Sequence, residues 1–268
     1  MPPRKPAPRI SDTEERLSKP AAGKKPAKKP GKAEARLGPV LKGRVETAPE
    51  AVDDETLVEI FSRLREADPE PRSELQFQNP YTLLVAVVLS AQATDRSVNL
   101  ATEPLFAIAD TPQKMLALGE ERVRHFIRTI GLFNTKAKNV IALSRILMER
   151  HGGEVPREAA ALEVLPGVGT KTASVVLNVA FGVPRIAVDT HIFRVSNRIP
   201  LFSAPTTDKV QAGLEARVPE PYRLNAHHWL ILHGRYTCKA RRPDCPRCRI
   251  ADLCRYPSKT ADLTPISD

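Results

Sequence analysis

Four cysteines, Cys238, Cys245, Cys248 and Cys254, fall within 17 of the 268 residues. Their spacing is Cys-x6-Cys-x2-Cys-x5-Cys. Thiolates are soft ligands, and four in one short loop suit zinc or an iron–sulfur cluster. Zinc usually takes two short paired spacings, and only Cys245 and Cys248 form one here. The spacing alone leaves both metals open. Two disulfides are the third reading, disfavoured because no apolar segment near Met1 resembles a secretory signal.

A second group lies at Leu165-Pro166-Gly167-Val168-Gly169, followed by Thr170-Lys171-Thr172-Ala173. Two glycines two apart allow a tight turn and a close backbone approach, leaving N–H groups free at the next helix start. Such a turn either joins two helices or holds a phosphate on its amides. Lys171 would occupy the first turn of a helix continued by Val175, Val176, Val179 and Ala180. There the positive end of the helix dipole disfavours an unpaired ammonium. Asp189 is a third candidate, in Val188-Asp189-Thr190-His191. It is a natural N-cap, which could be its whole purpose, or an acid–base group. His191, His227, His228 and His233 show no metal-ligand pairing with the cysteines and read as packing or hydrogen-bonding residues.

The elements that must position these groups are helical. Leu57, Ile60, Phe61 and Leu64 fall on one helix face, with Asp53 or Asp54 as cap. Asn79-Pro80 opens a helix that is apolar on every side from Leu83 to Leu89, hence central and buried. Further helices are expected at about 95–108, 112–118, 120–130, 135–150, 157–163, 170–181, 190–198, 206–217 and 225–236. No convincing alternating strands occur, so the fold class is all-α. The apolar run Leu83–Leu89 is far too short to span a bilayer, which excludes an integral membrane protein.

The net charge is +10. Residues 1–45 hold 13 Lys/Arg against 4 acids, a net +9, so the remaining 223 residues carry only +1. The proline-, lysine- and alanine-rich stretch 1–50 is expected to be a disordered basic arm, either a solubilising tail or a polyanion-binding segment. Within the folded part, Arg235 to Lys259 hold eight basic residues against Asp244 and Asp252. Part of that excess would balance thiolates, and the rest is compatible with phosphate contacts.

Taken in order, the 165–173 motif, Val188–His191 and the cysteine loop resemble the endonuclease III branch of the helix-hairpin-helix DNA glycosylase superfamily. Leu89-Ser90-Ala91-Gln92-Ala93-Thr94-Asp95 and Gly131-Leu132-Phe133-Asn134 add to the match, which runs from about Asp53 to Pro257. The resemblance implies two α-helical domains with a DNA-binding cleft between them. One is a six-helix bundle at 73–183 that holds the hairpin. The other joins 52–72 to 184–258 and carries a 4Fe–4S cluster on the four cysteines, with 259–268 as a tail. It further implies a monomeric cytoplasmic enzyme of base-excision repair, associated with the nucleoid when bound to DNA. Its substrates would be double-stranded DNA with oxidised pyrimidines or abasic sites. Lys171 would be the nucleophile and Asp189 the catalytic carboxylate. Gln92 would fill the gap left by the flipped nucleotide and Leu132 would wedge into the stack, while Gly167, Val168, Gly169 and Thr170 would bind DNA.

Two rivals remain at this stage. The adenine-specific mismatch glycosylases share the hairpin and the cysteine spacing but lack the lysine, and they carry a further C-terminal domain. A non-catalytic iron–sulfur DNA-binding protein would need neither Lys171 nor Asp189.

Overall fold

The computed structural model describes residues 51–261. The expected basic arm 1–50 and most of the expected tail lie outside the described residues. Among those described, every regular element is helical.

The chain opens with α1 (Asp54–Ala67), capped by Asp53, whose carboxylate accepts from the Thr56 N–H at 2.7 Å. Its buried face is Leu57, Ile60, Phe61 and Leu64, the four positions that the spacing picks out. α2 (Pro80–Ser90) starts from an Asn79/Thr82 capping box and is buried from Tyr81 to Leu89. There follow α3 (Asp95–Phe106), α4 (Pro112–Leu118), α5 (Glu120–Phe126), α6 (Phe133–His151), α7 (Ala159–Glu163) and α8 (Thr170–Phe181). Residues 73–183 thus contain seven helical segments where the expected bundle has six. Gly119, at φ +82°, separates α4 from α5 where the expected ranges 112–118 and 120–130 part, so the extra segment departs from the six-helix count of the resemblance and not from the periodicity.

The C-terminal part holds α9 (Thr190–Arg198), α10 (Thr207–Arg217) and α11 (Glu220–Leu232). α11 begins five residues before the expected start at 225. Pro219 and Pro221 do not prevent this, because first-turn N–H groups have no partner inside a helix. It also ends earlier, passing into a π-helical turn at His233–Thr237.

Two separate hydrophobic cores result. One gathers Leu83, Leu84, Leu105, Met115, Ile127, Leu143 and their neighbours from α2 through α8. The other joins α1 to α9, α10 and α11 across more than a hundred residues of sequence. Phe61 stacks on Tyr222 at 5.8 Å and packs at a tilt against Trp229 at 6.4 Å. The Trp229 indole N–H donates to Asp68 O at 2.7 Å. Arg217 donates to Val52 O and Arg63 pairs with Asp252, each at 2.7 Å. The chain crosses between the cores twice, before α2 and after α8. Polar contacts tie the cores together: Asn178 on α8 donates to Leu224 O at 2.9 Å, and Arg235 pairs with both Glu74 and Asp95.

Candidate active site

A cleft of about 470 Å³ opens where the two cores meet, and Gln92, Lys171, Asp189, His191, His227 and Arg235 are among its lining residues. Lys171 comes from the first turn of α8 in the first core. Asp189 comes from the cap of α9 in the second.

The hairpin between α7 and α8 explains where Lys171 stands. Gly167 sits at φ +82°, and a Cβ there would lie 2.9 Å from Asn139 Nδ2 and 3.2 Å from Val88 Cγ1. Glycine is therefore required both by the backbone and by close packing. Val168 is buried in the first core and anchors the turn, so only its backbone can face outward. Gly169 caps α8 without any side-chain hydrogen bond, and a Cβ there would meet nothing within 4 Å. The N–H groups of Gly169 and Thr170 have no acceptor among the described residues, and Gly169, Thr170 and Lys171 are all exposed. From Ala173 onward the helix is held by Ala173, Val176 and Leu177 in the core.

Asp189 divides its two oxygens between two tasks. Oδ1 accepts from the His191 N–H at 2.8 Å and the Ile192 N–H at 2.9 Å, closing the N-terminus of α9. Oδ2 faces Lys171 Nζ at 3.8 Å, with the carboxylate side chain only 9% exposed and the lysine 55% exposed. Capping and chemistry are therefore not exclusive readings of this residue.

Gln92 and Leu132 share an unusual backbone. They lie at φ +56° and φ +60°, the left-handed region where a side chain costs about 1–3 kcal/mol. Gln92 is exposed and lines the cleft. Leu132 is 62% exposed at the N-cap of α6 and does not line it. The structure thus brings Gln92, Lys171 and Asp189 together and leaves Leu132 on the adjoining surface.

Two cleft residues were not singled out by the sequence. His227, read there as a packing histidine, is 4% exposed, and its Nδ1 has no hydrogen-bond partner among the described residues. Burial, with His228 beside it, holds its pKa down to about 3. The unfolded chain therefore binds a proton near pH 6.5 that the folded chain refuses until about pH 3, so folding stability is lost as the pH falls through that window. From pH 7 to 5 this group should cost about 2 kcal/mol. Denaturant titrations of the wild type and His227→Leu at both pH values check it. The stability difference between them should move by that amount, and parallel pH profiles would contradict it. Arg235, counted above with the basic loop, is instead held by Glu74 and Asp95. No composition signal distinguishes it from its exposed neighbours Arg241 and Arg242.

The four cysteines are free thiols lining one pocket with Ile199, His233 and Tyr256. Three of the four sulfurs have a nitrogen within 4 Å. The Tyr256 N–H donates to Cys254 Sγ at 3.4 Å, and Arg198 Nη1 to Cys238 Sγ at 3.7 Å. His233 Nε2 lies 3.9 Å from Cys248 Sγ. Burial pushes the Cys248 thiol up to about 11 and raises that of Cys254. Such sulfurs call for a cation or an N–H donor to be thiolates, and α9 supplies one in Arg198, which also donates to Lys239 O at 2.7 Å and Ala240 O at 2.6 Å. Among the described residues no three of these side chains are drawn together as a metal's ligands would be, so it is the chemistry of four thiols around one pocket that suits a thiolate-ligated metal group.

Residues 85–220 match the HhH-GPD superfamily of base excision DNA repair proteins. Endonuclease III of Escherichia coli strain K12 is 57% identical over 202 residues, covering 75% of this chain and 96% of the relative. Endonuclease III of Treponema pallidum is 57% identical over 203 residues, 76% of this chain and 96% of that one. The chain belongs to the endonuclease III family. Among solved structures, a trapped endonuclease III–DNA covalent intermediate, in its estranged-adenine complex, is 42% identical with a TM-score of 0.72, covering 76% of this chain and 97% of that one. A non-covalent endonuclease III–DNA complex is 41% identical with the same TM-score, covering 76% and 96%. The all-helical class expected from periodicity is thus the fold of the family.

Proposed function

We infer that this chain is a bifunctional DNA glycosylase and abasic-site lyase of base-excision repair that removes oxidised pyrimidines from duplex DNA. The observation that carries the reading is Lys171 Nζ at 3.8 Å from Asp189 Oδ2 in a cleft between two cores, in a member of this family. A damaged base must leave the stack before C1′ can be reached, and damage lowers the cost of unstacking. Asp189 Oδ2, 3.8 Å from Lys171 Nζ, is proposed to accept the ammonium proton. The neutral amine then attacks C1′, the C1′–N bond breaks, and the base departs with the electron pair and takes up the proton held by Asp189, which returns to the carboxylate. The sugar ring opens to a lysine imine. The imine acidifies the C2′ proton, and β-elimination expels the 3′ phosphate. Water releases the imine and restores Lys171.

Gln92 in the cleft and exposed Leu132 beside it are proposed to fill the vacated stack and part the neighbouring bases. The free amides at Gly169–Thr170 are proposed to hold a backbone phosphate. The enzyme is proposed to act as a monomer in the cytoplasm. The mismatch-adenine reading is disfavoured by Lys171, and the non-catalytic reading by Lys171 and Asp189 together. Single-turnover assays on duplexes carrying one oxidised pyrimidine, or one adenine opposite a mispaired base, test the assignment. Base release with strand cleavage on the first and none on the second is expected, and the reverse pattern would overturn it.

Cys238, Cys245, Cys248 and Cys254 are proposed to hold a 4Fe–4S cluster. The four thiols suit either metal, and the family resemblance supports the cluster over zinc. Such a cluster would bind the loop from Thr237 to Tyr256 into one shape, and no step of the chemistry above needs its electrons. The purified protein should be yellow-brown, with about four irons and four sulfides per chain. Colourless protein with stoichiometric zinc would contradict the choice.

A further inference from the structure

Lys136 is 5% exposed, on the first turn of α6. Among the described residues its ammonium has one hydrogen-bond acceptor, the carbonyl oxygen of Ala91 at 2.7 Å. Burying a cation on a single neutral acceptor is costly, and an apolar side chain of the same length would fill the space without that cost. The ammonium therefore calls for an explanation in what it holds.

What it holds is one particular peptide group. Ser90 to Ala93 form a tight turn closed by the Ala93 N–H donating to Ser90 O at 3.0 Å. Ala91 lies at φ −56°, ψ 116°, and Gln92 at φ +56°, which makes it a type II turn. The third position of that turn normally takes glycine or asparagine, and here it is glutamine. Flipping the central peptide would give a type I turn, with Gln92 at negative φ and unstrained. The carbonyl of that central peptide is Ala91 O, the group bonded by Lys136. The flip would carry the acceptor away from the ammonium. Lys136 is also tied to the second left-handed residue, since its own backbone N–H donates to Leu132 O at 3.0 Å.

We propose that Lys136 is the positioning residue that locks the Gln92 turn in its strained form and fixes its distance from Leu132. Through its ammonium it holds one strand-inserting residue, and through its amide the other. This rests on the roles proposed above for Gln92 and Leu132. Lys136 does not line the cleft that holds Lys171 and Asp189, so its loss should weaken base extrusion and spare the later chemistry.

The test compares two duplexes under single-turnover conditions with the full-length protein. One carries a paired oxidised pyrimidine, the other an abasic site, where no base remains to be extruded. Lys136→Met should slow release of the paired base by about tenfold or more, and change cleavage at the abasic site by less than about threefold. No loss on either duplex, or an equal loss on both, would overturn the proposal. If that variant fails to fold, the same two readings apply to Lys136→Gln, whose side chain is one bond shorter and carries no charge to hold the Ala91 carbonyl. Gln92→Ala is measured beside them. An undiminished rate on the paired base there would refute the gap-filling role of Gln92 itself, whatever the Lys136 variants do.

Discussion

Lys171→Gln should abolish both base release and strand cleavage while duplex binding stays within about tenfold of the wild type. The amide keeps roughly the bulk of the side chain and removes the nucleophile. The fold does not depend on Lys171, which is 55% exposed, whereas α8 is fastened by Ala173, Val176 and Leu177 on its opposite side. Its melting temperature should therefore stay within a few degrees, as for other exposed substitutions. Gel-shift titration, single-turnover kinetics and a thermal melt on one preparation separate these outcomes. Near-normal cleavage by a well-folded variant would remove Lys171 from the reaction.

Asp189→Asn should slow turnover by a factor on the order of 10² to 10⁴, the range of a general acid–base group. The division of labour between the two oxygens is what makes this variant informative. Asparagine keeps an oxygen for the His191 and Ile192 amides, so α9 remains capped and stability should fall by less than about 1 kcal/mol. It replaces the carboxylate that faces Lys171 at 3.8 Å with a neutral amide that cannot take a proton. Asp189→Ala, by contrast, should lose both the rate and about 1 kcal/mol of stability. A collapsed melting temperature in the asparagine variant, with undiminished activity per folded molecule, would make Asp189 a cap and nothing more.

Much of the helical framework was legible because it depends on local pattern. The faces of α1 and α2 follow from apolar spacing, and their starts from Asp53 and Asn79. Which core each face joins was not legible by spacing alone. Phe61 is apolar at helical spacing whether it packs on its neighbours or on Tyr222 and Trp229 some 160 residues away, as it does. The chemistry-bearing residues stood out by type and by the glycines around them, yet their convergence is tertiary. Lys171 and Asp189 reach one cleft only because α8 and α9 belong to different cores. The left-handed turn at Gln92 was hidden for a different reason. Glutamine gives no sign of positive φ, because the constraint comes from Lys136, 44 residues on. Arg235 was misjudged by charge counting, since Glu74 and Asp95, its partners, are brought to it by the meeting of the cores.

Borohydride trapping with residue mapping tests the central claim most directly. The full-length protein is incubated with a duplex carrying one abasic site, reduced with sodium borohydride, digested, and the DNA-linked peptide sequenced by mass spectrometry. A single adduct on the Nζ of Lys171 is predicted. An adduct on another amine, or strand cleavage that proceeds with no adduct at all, would contradict the account.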